Sequence, residues 1–97
     1  MPEYRLTSRA ESEIVDIIRY GIETFGVLQA QHYVDELTHC FELLVENPRM
    51  GRAVPDFGES VRRHIHARHI VLYEINAPGI LILAVVHVRS VVRLIKS

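Results

Sequence analysis

Apolar and polar residues follow two different periods along this chain of 97 residues. Tyr4-Arg5-Leu6-Thr7 alternates with period two, which predicts a short first strand. Ala10, Ile14, Ile17, Ile18 and Gly21 then recur at helical spacing and leave Glu13, Asp16 and Arg19 outside. Ser8 and Glu11 have capping-box spacing, so Ser8 is the expected helix start and Phe25-Gly26 the stop. A second apolar stripe follows at once: Ala30, Tyr33, Val34, Leu37, Cys40, Phe41 and Leu44. It must end before Asn47-Pro48, because the residue before proline disfavours helix. So short a connection makes the helices antiparallel neighbours, and their apolar stripes require another layer to cover.

The second half supplies that layer. Residues 48–60 carry Pro48, Gly51, Pro55 and Gly58 and predict a loop. In Val61 to His66, apolar Val61 and Ile65 alternate with Arg62, His64 and His66, and Arg63 breaks the parity. His69 to Ile75 predicts a strand rich in branched and aromatic residues. Ala77-Pro78-Gly79 predicts a turn, with Pro78 presetting one φ and Gly79 accepting a positive one. Ile80 to Val88 is apolar on both faces, as a central strand requires. The order is β-α-α-β-β-β, an α+β fold: an N-terminal strand, then an antiparallel helical hairpin packed on a mostly antiparallel sheet. Residues 1–97 form one domain, and the chain from Arg89 is left as strand or frayed end.

Charge divides this plan in two. Residues 1–48 carry a formal charge of −6 and residues 49–97 one of +5, although the total is only −1. Ten of the eleven bases are arginine, which recognises phosphate and carboxylate in a planar, bidentate way. The basic half therefore points to an anionic partner.

Candidate chemistry is sparse. Cys40 is alone, so no intrachain disulfide is possible, and its place on the second helical stripe suits a small buried hydrophobe. Met-Pro-Glu-Tyr opens the chain without an apolar leader, and the longest apolar run is too short to span a bilayer. A cytoplasmic protein without membrane contact is expected. His64 and His66 share one strand face, a metal-compatible pair, but no third ligand has suitable spacing. They are expected as exposed strand histidines; no metal and no cofactor is assigned. Arg62 and Arg63 point to opposite faces, so one is expected on the open face and the other beside an acidic helix residue. Val91-Val92 and Leu94-Ile95 form an apolar edge that a partner chain or a second copy of this one is expected to cover.

Several short pieces together carry a family likeness. They are Tyr4-Arg5-Leu6-Thr7 with Ala10, Ile17 with Tyr20, Phe25-Gly26 with Gln29-Ala30 and Tyr33, and Leu37, Phe41 and Leu44. Asn47-Pro48-x-x-Gly51-Arg52, Val61-Arg62-Arg63, His69-Ile70-Val71-Leu72-Tyr73 and His87-x-Arg89 complete the series. In this order and spacing the chain resembles the RelE/ParE superfamily of small bacterial toxins, and more closely its ParE branch. The resemblance implies a type II toxin-antitoxin system whose antitoxin folds a disordered C-terminal segment onto the toxin, giving a hetero-oligomer. It implies that DNA gyrase is the target and that replication stops. The chain then acts by binding rather than by bond-breaking chemistry, and direct contact with nucleic acid is left open. Arg62, Arg63, His87, Arg89 and Arg93 are the candidate contacts for target or antitoxin. Arg49 and Arg52 flank Gly51 in a candidate antitoxin-contact loop. A RelE-like ribosome-dependent messenger RNA endoribonuclease is the alternative, with His87 as base and arginines as phosphate clamps. A member that binds its antitoxin and nothing else is a third reading. Family members often carry an acid after the His-x-Arg, which this chain lacks.

Overall fold

The computed structural model describes residues 3–90. The elements are β1 (Tyr4–Leu6), α1 (Ser8–Phe25), α2 (Val27–Glu46), β2 (Arg52–Ala53), a 3-10 turn (Pro55–Phe57), β3 (Val61–His66), β4 (His69–Asn76) and β5 (Gly79–His87). The five strands form one sheet in the order β1-β5-β4-β3-β2. All neighbours are antiparallel except β1 and β5, which are parallel. The α+β plan holds, and the loop between α2 and β3 adds a two-residue edge strand and a helical turn. Residues 88–90 make a helical turn after β5. The apolar edge expected at 91–95 lies outside the described residues.

The start of α1 differs from expectation by one residue. Thr7, not Ser8, is the cap: its hydroxyl accepts from the Ala10 N–H at 3.1 Å and donates to the Leu83 carbonyl at 2.8 Å. A partner across the sheet thus favours Thr7 over its neighbour. Gly26, at φ 91°, separates α1 from α2.

The hairpin covers one face of the sheet. Ala10, Leu37, Cys40, Phe41 and Leu44 pack there against Val71, Tyr73, Ile80, Ile82 and Val85. Each large side chain buried in this way contributes about 1.5–3 kcal/mol. The opposite face carries a second, smaller cluster of Val61, Ile70, Leu72, Ala84 and Val86, with Val54, Phe57, Leu83 and Val88 packed against it. A bulge lets β5 serve both. Leu72 pairs with Ala84 and Tyr73 with Ile82, so Leu83 stands unpaired and shifts the alternation by one residue.

The turn between β4 and β5 departs from expectation. It holds a cis Ala77-Pro78 bond, and Gly79 does not take a positive φ. Gly79 is needed for a different reason: a Cβ there would run into the Glu3 carbonyl.

Candidate functional site

Strand alternation assigns each arginine of β3 to a face. Arg62 pairs in register with Tyr73 and lies on the helix side; Arg63 pairs with Leu72 and lies on the opposite face. One of this pair is expected beside an acidic helix residue, but Arg62, the one on the helix side, makes no ion pair among the described residues. Its Nη1 donates to the Gly51 carbonyl at 2.7 Å and, more weakly, to the Arg49 carbonyl at 3.5 Å. The loop takes this path because the buried Tyr73 hydroxyl holds it too. That hydroxyl accepts from the Gly51 N–H at 2.9 Å and donates to the Pro48 carbonyl at 2.6 Å. Arg62 is therefore a strut of the 48–51 loop. Arg49 lies in that loop, beside an open depression lined by Asn47, Pro48, Met50 and Ile75.

Arg63 is placed differently. Its register partner on β2 is Arg52, so two guanidinium-bearing residues stand directly opposite on the far face. Like charges in this relationship destabilise a sheet. Neither makes an ion pair among the described residues. They sit beside the second apolar cluster, next to Ile65, which is 54% exposed. An anion reaching this rim finds two forked donors together with apolar surface.

His87 and Arg89 are at the open end of the sheet, on the helix side of β5 and just beyond it. Both are exposed, and His87 Nδ1 accepts from the Arg89 N–H at 3.1 Å. Arg93 lies outside the described residues. The candidate residues thus fall into three places: a strut (Arg62, with Arg49), a charged rim (Arg52, Arg63) and a strand end (His87, Arg89).

Sequence reasoning missed a cluster of titratable groups at that strand end. His66 pairs with His69 and His69 with His87, so three imidazoles form a row across β3, β4 and β5 on the helix side. Tyr33 of α2 lies over the row, with its hydroxyl 2.6 Å from His69 Nδ1 and its ring 5.6 Å from those of both His66 and His69. His64 and His66 are half-buried, not exposed as expected, because this side of β3 faces the hairpin. Burial, then the neighbouring His87 and His66, lowers the His69 pKa; burial, then His66, lowers that of His64. The signal was present in the sequence: His66 and His69 flank a two-residue turn, which pairs them across a hairpin. Among the described residues, no group of three or more His, Cys, Asp or Glu is arranged to hold a metal ion.

Comparisons with known proteins agree with this architecture. Residues 4–92 match the family model described as the ParE toxin of the type II toxin-antitoxin system, parDE. The chain is 34% identical over 76 residues to Toxin ParE1 of Caulobacter vibrioides, covering 78% of this chain and 79% of that one. It is 29% identical over 87 residues to Toxin ParE1 of Mycobacterium tuberculosis, covering 89% of each. Its fold matches a structure described as the chromosomal ParDE TA system from P. aeruginosa, with a TM-score of 0.76 and 21% identity over 91% of this chain and 97% of that one. The match over nearly the whole length places the chain in the ParE toxin family of type II toxin-antitoxin systems.

Proposed function

We propose that this toxin arrests growth by binding DNA gyrase and so blocking replication, and that its antitoxin neutralises it through an acidic C-terminal segment that folds on the basic surface. The observation that carries the reading is the family match over residues 4–92. The Arg52–Arg63 pair supports the second part: two arginines held opposite each other cost stability, and an acidic segment relieves the repulsion. His87 and Arg89 offer a second anionic contact at the strand end. The work is done in the cytoplasm, as a complex with the antitoxin until the toxin is released.

Binding is favoured over RNA cleavage by the state of two groups. Tyr73 is fully buried and its hydroxyl holds the 48–51 loop, while Arg62 is committed to the Gly51 carbonyl. Neither is free to serve a scissile phosphate.

The deciding experiment adds purified toxin to a gyrase supercoiling reaction, with and without antitoxin, and separately follows DNA and protein synthesis after induction in cells. Blocked supercoiling, relieved by antitoxin, with DNA synthesis failing first is the expected result. Translation failing first, with replication intact and messenger RNA cut, would return the ribonuclease reading. No growth arrest at all would leave a member that only binds its antitoxin.

A further inference from the structure

The imidazole row at the open end of the sheet has no part in the binding surface proposed above, apart from His87 at its rim. It lies where the apolar packing between α2 and the sheet gives way. Leu37, Cys40, Phe41 and Leu44 anchor the later part of α2 in the core. Earlier in the helix, Tyr33 and Glu36 meet the sheet, and they meet histidines. Tyr33 bonds His69 at 2.6 Å. Glu36 is shared: one carboxylate oxygen lies 2.7 Å from His32 Nε2 on its own helix, and the other 3.8 Å from His66 Nε2 on β3. That His66 nitrogen is buried and has no hydrogen-bond partner among the described residues. A buried imidazole nitrogen without a partner is costly, and it stands one short movement from a carboxylate.

We propose that the His66–His69–His87 row is a proton-operated release for the first half of α2: the uncharged row receives Tyr33 and Glu36, and positive charge accumulating in it on acidification drives helix and sheet end apart.

The balance of charges decides the direction. Facing the row from α2 are Tyr33 and Glu36, with His32 bound to Glu36 and Cys40 near Tyr33. From β3 come His64 and His66, from β5 His87, and from the β3–β4 turn Arg68, whose charge acts on Tyr33. Glu36 is the one carboxylate in this set, and His32 already holds it. A single proton on His66 is offset by Glu36, and that pair closes the 3.8 Å gap. A further proton on His69 can be shared with the Tyr33 oxygen but finds no carboxylate, and its charge faces the neighbouring His66 and His87 imidazoles. The Tyr33 phenol cannot answer by ionising, since burial and Glu36 push its pKa up. The His69 and His87 rings are 5.6 Å apart, centre to centre, so the repulsion acts at short range. The apolar anchor further along α2 is unaffected, which confines the opening to its first turns.

The test uses the full chain. Imidazole resonances are followed by NMR from pH 8 to pH 5, and amide exchange of residues 29–36 is compared at pH 7.5 and pH 5.5 after correction for intrinsic rates. Protection of these amides is expected to fall measurably at the lower pH, while protection of 40–45 holds. His87→Gln, at an exposed position that leaves the core intact, should raise the His69 titration midpoint and lessen the loss of protection. Glu36→Gln should enlarge the loss. A row that merely fills space would leave the midpoint unmoved. Equal protection of 29–36 at both pH values, or a His69 midpoint indifferent to His87→Gln, overturns the proposal.

Discussion

The Tyr73 hydroxyl accepts the backbone N–H of Gly51 at 2.9 Å, inside the core and 22 residues away in sequence. The same hydroxyl donates to Pro48, so one phenol closes the loop that follows α2. Tyr73→Phe should leave two polar groups of the loop unpaired, at about 1–3 kcal/mol each where they are buried. Urea unfolding should show the loss as a lower midpoint with an unchanged slope. Gly51→Ala should cost at least as much, because a Cβ at position 51 would run into the Tyr73 hydroxyl.

Arg52 and Arg63 should trade stability against binding. Replacing Arg52 with Glu turns a repulsive cross-strand pair into an attractive one, worth about 0.2–1 kcal/mol. Thermal melting should rise slightly while antitoxin association slows. Arg62→Ala should do the reverse: the melt falls by on the order of 1–2 kcal/mol through loss of the Gly51 contact, and association is little changed.

Glu13 seals the sheet beside α1. Its carboxylate accepts the Val85 N–H at 2.9 Å on the edge of β5. Glu13→Gln retains an acceptor and should be nearly neutral. Glu13→Ala exposes the N–H and should cost about 1–2 kcal/mol. It should also favour self-association, seen as a concentration-dependent shift in sedimentation.

Stability should fall on mild acidification. The folded pKa values of His64 and His69 are lowered, so the unfolded chain takes up protons first. Their contribution is complete above the unfolded histidine value, about 6.5, and is lost as pH falls below it toward the lower folded values. Urea midpoints at pH 7.5 and pH 5.5 should differ in that direction. A flat profile would contradict the assignment.

Cys40 should resist alkylation in the native protein. It is 4% exposed, and burial raises its thiol pKa. Iodoacetamide at pH 8 should label it only when denaturant is added.

The larger elements were legible because each has one dominant period. The stripe from Ala30 to Leu44 fixes α2, and the branched run from His69 fixes β4. What stayed hidden depends on distant partners. Thr7 caps α1 in place of Ser8 because Leu83, 76 residues away, accepts its hydroxyl. The apolar run of β5 cannot announce a bulge, since both of its faces are buried. The arginines were recognised as a group by charge, but only the register with β2 and β4 separates Arg62, turned to a carbonyl, from Arg63, turned to Arg52. The histidine row was missed because His64-x-His66 invited attention along one strand, whereas the neighbours that matter lie across strands.

The Thr7 junction has a consequence for how the fold verifies itself. Its N–H donates to Ile82 and its hydroxyl to Leu83, while that same hydroxyl caps the first turn of α1. The unpaired residue of the bulge is therefore the one whose carbonyl the helix start consults. If β5 slipped by one residue, the error would reach beyond side chains facing the wrong way, because α1 would begin without its cap. Strand alignment and helix initiation are proofread by a single oxygen atom.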